Sequence, residues 1–284
     1  MPRRRSPALW SFLALVTAAD VRGESRDTAR GLVVEEVARA SASERGGIRP
    51  GDFIVAWTRG GAEGAFASPF DLLEVEVEQL PRGPITLAGR RGDGAMAWTL
   101  PPAPYGLAVR PALDTDALAA YEEGARLVES KKFSEGAARW SAAAEAAQQP
   151  LVGAWLLSRA AKALAGARIW AEADAAYERA VGRADESGSP TATAHLLRQW
   201  ADSLRGRSDW APAEDRYRRA LALDQKRPAE SLAVALTLNN LGILEMFRGD
   251  LDRAERYLRE ALAIRERLAP GSLVVAATVN NLGA

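Results

Sequence analysis

Asn239-Asn240-Leu241-Gly242 recurs 41 residues later as Asn280-Asn281-Leu282-Gly283, a near-literal repeat around which the C-terminal half of the chain is built. A period of about 40 residues suits stacked helical hairpins, since each unit then holds two helices of several turns and the turns that join them. The same frame runs backwards from Asn239. A small residue stands in the first helix of each unit (Gly124, Ala161, Ala201, Gly242), with a large apolar one nine residues on (Phe133, Trp170, Trp210, Leu251). Another small residue follows after three positions (Gly136, Ala173, Ala213, Ala254), and a second large one after four more (Trp140, Tyr177, Tyr217, Leu258). An alanine comes three residues later, at Ala143, Ala180, Ala220 and Ala261. Spacings of three and four hold these residues on one helical face. The small ones admit close helix approach, and both large positions are expected to fill the grooves between helices.

The frames start at Ala117, Ala154, Ala194, Ala235 and Ala276, giving periods of 37, 40, 41 and 41. Pro150, Pro190, Pro228 and Pro270 fall at the joins, where a missing N–H and a fixed φ interrupt a helix. Ser231 and Ser272 stand where N-caps are wanted, and Pro212 lies in the first turn of a second helix, where proline is tolerated. In this pattern residues 117–284 resemble the tetratricopeptide repeat family, with about four repeats and a truncated fifth. The resemblance implies an all-α superhelix, an α-solenoid.

Lys plus Arg and Asp plus Glu number 37 each, so the net charge is zero, and recognition of nucleic acid through a basic face is not expected. With 48% hydrophobic and 26% charged residues over 284, the chain supports two folded domains. It has no cysteine, which excludes disulfides, cysteine-bearing zinc sites and cysteine nucleophiles. His195 is the only histidine, a packing or surface residue on this reading, and neither a nucleophile elbow nor a phosphate-binding Gly-Lys loop nor a His-Glu-x-x-His helix occurs. No catalytic residue, cofactor, metal or small-molecule substrate is therefore expected.

Residues 1–23 open Met-Pro-Arg-Arg-Arg and continue into an apolar run from Ala8 to Ala19. A basic start, a short apolar core and a small-residue exit describe a signal peptide, which would place the mature chain outside the cytoplasm; without it the chain is cytoplasmic. From Gly31 the pattern turns to short strands. Gly46-Gly47-Ile48-Arg49-Pro50-Gly51-Asp52-Phe53-Ile54-Val55 sets glycines and an aspartate turn before a hydrophobic strand. Ser68-Pro69-Phe70-Asp71-Leu72-Leu73 reads as a helix start capped by Ser68, and the strands around Gly92-Asp93-Gly94 read as a hairpin. Arg91-Gly92-Asp93 is read as part of that turn and not as an adhesion motif. Residues 28–104 in this order resemble a bacterial-type PDZ domain, a small β-rich α+β fold. The resemblance implies a peptide added as a strand beside Gly31, Leu32, Val33 and Val34, with Phe70 on the facing helix. The Gly-hydrophobic-Gly loop expected before that strand is missing; Tyr105-Gly106-Leu107 looks more like such a loop, but it lies at the wrong end of the domain unless the topology is permuted. Residues 105–116 are read as a proline-containing linker.

In the helical part, Asn239 and Asn240 are about 100° apart on a helix, so one can face a ligand while the other bonds locally. Asn-Asn-Leu-Gly repeats resemble those of kinesin light chains. That resemblance implies that first-helix asparagines hold the backbone of an extended peptide, since an amide both donates and accepts. Asn240 and Asn281 are then the leading binding residues, with Asn239, and with Gln199 and Arg159 at matching places in earlier repeats. Lys162, Arg198, Asp202 and Arg205 add charge. The expected function is a non-enzymatic scaffold that binds other proteins through peptide or helix segments. The alternative is the recruiting part of a larger effector, whose catalytic domain, a CHAT protease or a kinase for example, follows residue 284.

Overall fold

The computed structural model describes residues 30–227 and 230–284. The expected signal segment 1–23 and Pro228 lie outside the described residues. The chain divides into two units, one of 30–72 with Gly83–Asp114 and one of Leu73–Arg82 with Thr115–Ala284.

The first unit is a small antiparallel sheet. Its elements are β1 (Leu32–Val37), α1 (Ala42–Arg45), β2 (Phe53–Arg59), β3 (Ala62–Ala65), the start of α2 (Pro69–Glu78), β4 (Ile85–Arg91), β5 (Gly94–Leu100) and β6 (Leu107–Pro111). The order is β5-β4-β2-β1-β6, with β3 paired to β2. Leu32, Ile54, Phe66, Leu87, Leu100 and Tyr105 are fully enclosed and form its core. Asp52 organises the turn as its position implies: Oδ2 accepts from the Arg49 N–H at 2.8 Å. It also takes Arg91, Nε to Oδ1 at 2.7 Å and Nη2 to Oδ2 at 2.8 Å, so the arginine of Arg91-Gly92-Asp93 is engaged internally. Gly92, at φ 58, makes the two-residue turn that pairs Arg91 with Gly94. Ser68 stands just before α2, and its hydroxyl donates to Asp71 Oδ2 at 3.3 Å. Its backbone N–H and that of Ala67 each donate to the same oxygen at 2.7 Å, so the first-turn aspartate reaches back to the residues that precede the helix.

The strand expected to receive a peptide is already full. β1 pairs with β2 on one edge (Leu32 opposite Ile54) and with β6 on the other (Leu32 opposite Pro111), leaving no free row of N–H groups. Leu32 and Val34 are core, and Phe70 is buried. Gly31 serves close packing, since a Cβ there would lie 2.4 Å from the Phe53 ring. A guest strand on Gly31, Leu32, Val33 and Val34 is ruled out. The covering strand β6 takes Leu107–Pro111 out of the stretch 105–116 expected as a linker, and Thr115 and Asp116 already open the next helix, Thr115–Glu129.

The second unit stacks hairpins: α3 (Thr115–Glu129) with α4 (Phe133–Ala146), α5 (Pro150–Gly166) with α6 (Trp170–Glu186), α7 (Pro190–Gly206) with α8 (Trp210–Asp224), α9 (Leu232–Arg248) with α10 (Leu251–Leu268), and then α11 (Leu273–Leu282). Each helix packs on the next, and α5 also reaches α7. Pro150 and Pro190 open helices as first-turn residues, where their fixed φ suits the helix. The small-to-large rule holds at the second large position. A Cβ on Gly124 would fall 2.4 Å from Trp140 Nε1, and one on Gly242 2.7 Å from Leu258 Cγ. Trp140, Tyr177, Tyr217 and Leu258 are all buried; truncating one of these to alanine costs roughly 3–5 kcal/mol. The first large position behaves differently. Phe133, Trp170 and Trp210 are only half-buried and Leu251 is 67% exposed, because they open the second helices at the surface. Trp210 stacks on Phe247 at 6.3 Å, and Arg207 lies 5.2 Å over the Trp170 ring.

Candidate peptide-binding site

Two kinds of polar group lie along the first helices: those satisfied within the stack and those left open. Arg198 and Asp224 are buried and joined Nη1 to Oδ2 at 2.6 Å, with the Thr237 hydroxyl donating to the same carboxylate oxygen at 2.9 Å. Burial pushes the Asp224 carboxyl up and the Arg198 guanidinium down, and their ion pair opposes both shifts. Arg198, expected to add charge to a groove, is therefore locked inside the stack. One period later the same positions hold Asn239, Arg265 and Thr278. Arg265 Nη1 donates to Asn239 Oδ1 at 3.3 Å, to Val274 O at 3.1 Å and to Thr278 Oγ1. Asn281 Nδ2 donates to that same Asn239 oxygen at 3.1 Å. Burial lowers the Arg265 pKa to about 10, so it stays charged at neutral pH. Asn239 is thus a structural acceptor, and Asn281 is bonded to it; Asn240 is half-buried and outside this network.

The open groups gather between α5, α6 and α7. Lys162, Ala165, Trp170, Tyr177, Gln199, Asp202, Ser203 and Gly206 line a cleft of about 390 Å³. Gln199 Oε1 and Ser203 Oγ are buried atoms without a hydrogen-bond partner, an arrangement that costs roughly 1–3 kcal/mol per group unless something fills it. Lys162 stands exposed at the mouth; surrounding protein and Arg159 push its ammonium below the ordinary range while Asp202 pulls it up. Arg159 lies over the Trp140 ring at 5.7 Å, and its buried Nε has no acceptor. Asp202 Oδ1 accepts from Tyr217 Oη at 2.5 Å and from Arg205 Nη2 at 3.4 Å, which holds Arg205 against Tyr217. The structure thus brings Lys162, Gln199 and Asp202 together, with Arg159 and Arg205 beside them, and leaves Asn240 apart. Trp170, Tyr177 and Ser203 were missed as lining residues. Trp170 and Tyr177 carry the size pattern of packing positions, and no motif marks a lone serine.

Residues 234–270 match the tetratricopeptide repeat family. No curated protein matches the chain in sequence. Among solved structures, BtubC (BKLC) from P. vanneervenii is 25% identical, over 59% of this chain and 79% of that one, at a TM-score of 0.45. Nearly identical TPR-like repeats assigned to a Podosopora anserina kinesin light chain are 14% identical over 58% and 82%, at 0.46. A Rap protein complexed with Competence and Sporulation Factor is 17% identical over 59% and 47%, at 0.43.

Proposed function

We propose that the helical unit is a protein–protein interaction module that holds an extended segment of a partner in the α5–α6–α7 cleft. The observation that carries this reading is the pair of buried, unpartnered atoms Gln199 Oε1 and Ser203 Oγ in the cleft that Lys162 also lines. A peptide backbone supplies N–H donors and carbonyl acceptors to an amide and a hydroxyl, and a partner carboxylate suits Lys162. The Trp170 and Tyr177 rings supply apolar wall. On this reading Asn240 continues the peptide track onto α9.

The test is selection of a displayed random 12-residue peptide library on the full chain, with affinities then measured by calorimetry on Lys162→Ala and Gln199→Ala. Selected peptides should lose five- to tenfold per variant, since one such bond is worth about 1 kcal/mol, while melting stays put. Peptides that bind both variants as well as the parent place the working surface elsewhere.

In the sheet unit the doubly paired β1 leaves strand addition to an end of the sheet, β5 or β6, and we favour β6. That strand is paired on one side only and begins at Leu107 of Tyr105-Gly106-Leu107, the stretch most like the glycine-bearing loop of the resemblance.

A further inference from the structure

Within the helical unit, one acidic turn is held the way a ligand is held. Glu74 and Glu78, four residues apart on α2, point their carboxylates the same way. Arg227 takes Glu74 with both nitrogens, Nη1 to Oε1 and Nη2 to Oε2, the latter at 3.1 Å. His195 Nε2 stands 3.7 Å from Glu74 Oε2. Glu78 Oε1 accepts from the Ser231 hydroxyl and, at 2.9 Å, from the Ala233 N–H in the first turn of α9. Arg227 Nη1 lies 3.8 Å from that oxygen, so one guanidinium bridges both carboxylates.

The receiving groups come from three successive pieces of the stack: α7, the α8–α9 turn and the start of α9. The groups held come from one helical turn about 150 residues earlier in sequence. Ser231 caps α9 through its own Oγ, which accepts from Ala233 N at 3.0 Å, and Glu78 completes that cap. At the next repeat the matching Ser272 Oγ is buried with no partner at all, so the helix start does not by itself require a carboxylate. Burial raises the Glu74 pKa, but His195 and Arg227 outweigh it and bring it down to about 2. Burial, with Arg198 nearby, lowers the His195 pKa to about 4, so Arg227 is the cation that holds Glu74 at neutral pH.

We propose that His195, Arg227 and the first turn of α9 form a docking site for a helical segment with two carboxylates one turn apart, and that Leu73–Arg82 occupies it as an internal ligand. A partner helix with the same pair of carboxylates competes with it. The site is separate from the Lys162–Gln199 cleft and stands without it.

The probe is a fluorescein-labelled peptide of Leu73–Arg82, followed by anisotropy against the full chain. An internal occupant acts at an effective concentration in the millimolar range, so the wild type should take up the peptide poorly. The E74A/E78A chain, its own carboxylates gone, should bind it at least tenfold more tightly. A peptide with Gln at both positions should not bind, and raised salt should weaken the interaction. Equal affinity of the two chains, or equal binding of the Gln peptide, overturns the proposal. Amide exchange in Arg227→Ala provides a second check. Faster exchange in 73–82 with α7 to α9 still protected supports the internal ligand; unchanged exchange there refutes it.

Discussion

Hairpins α7–α8 and α9–α10 occupy the same frame 41 residues apart, yet they bury opposite chemistry at matched positions. Arg198, Asp224 and Thr237 make a balanced layer, a cation on an anion with a hydroxyl beside them. Asn239, Arg265 and Thr278 make an unbalanced one, a cation among neutral acceptors. The repeat therefore demands a polar trio at this depth without dictating which member carries charge. The two layers also differ in how they fail. Asp224→Ala strands Arg198 in the interior, with Thr237 as its remaining acceptor. It should cost roughly 3–5 kcal/mol in urea unfolding, whereas the double replacement Arg198→Met with Asp224→Leu should recover most of that loss. If both variants lose equally, the layer is held by packing and not by the pair.

The turns inside the hairpins give the next contrast. Lys131, Arg168, Ser208 and Gly249 all have left-handed φ, at 62, 62, 67 and 83, and they recur in the repeat frame. Three of the four carry a Cβ into a conformation that costs about 1–2 kcal/mol for an L-residue. Gly249→Ser should then cost about 1–2 kcal/mol, and Ser208→Gly should gain up to about 1, less the added freedom of the unfolded chain. Thermal melts of the two single variants check the opposite signs.

A smaller effect separates the two arginines. Removing Arg265 strands nothing: Thr278 Oγ1 still donates to Val274 O at 2.9 Å, and Asn239 Oδ1 keeps Asn281. Arg265→Met should change stability by less than about 1 kcal/mol, against several for Asp224→Ala. A loss comparable to that of Asp224→Ala would mean that Arg265 organises α11 through a contact beyond these three.

What was legible in the sequence followed from repetition. Gly124 with Trp140 and Gly242 with Leu258 announced helix contacts because size alternates in a fixed frame, and the contact geometry obeys it. Asp52 was legible because a turn aspartate bonds locally, but its pairing with Arg91 spans 39 residues and no local pattern carries it. The place of β6 was hidden because residues 105–116 read as a proline-containing linker, while its pairing joins residues as far apart in sequence as Leu32 and Pro111. Trp210 misled for a different reason: its size suggested a buried filler, yet it opens a helix at the surface against Phe247, itself 63% exposed. In the cleft, charged and amide residues were foreseeable; which of them the stack would consume was not. Arg198 and Gln199 are adjacent in sequence, but the 100° between them decides that one meets Asp224 and the other opens on a cleft.

The same 100° separates Asn239 from Asn240, and it sets the last test. Asn239 accepts from Arg265 and Asn281, so Asn239→Ala removes an acceptor from a buried cation and should lower stability by about 1–3 kcal/mol. Asn240 has no such role. Its replacement by alanine should leave the melt unchanged and weaken a peptide selected on the cleft by about fivefold, the worth of a single amide bond near 1 kcal/mol. Parallel melts and titrations of the two variants should thus show opposite profiles, one changed in stability and the other in binding. Should Asn240→Ala melt as low as Asn239→Ala, both amides belong to the layer, and the peptide track ends at α7. Should it keep both stability and affinity, the track also stops there, and the doubled asparagine is then one structural residue beside a neutral neighbour.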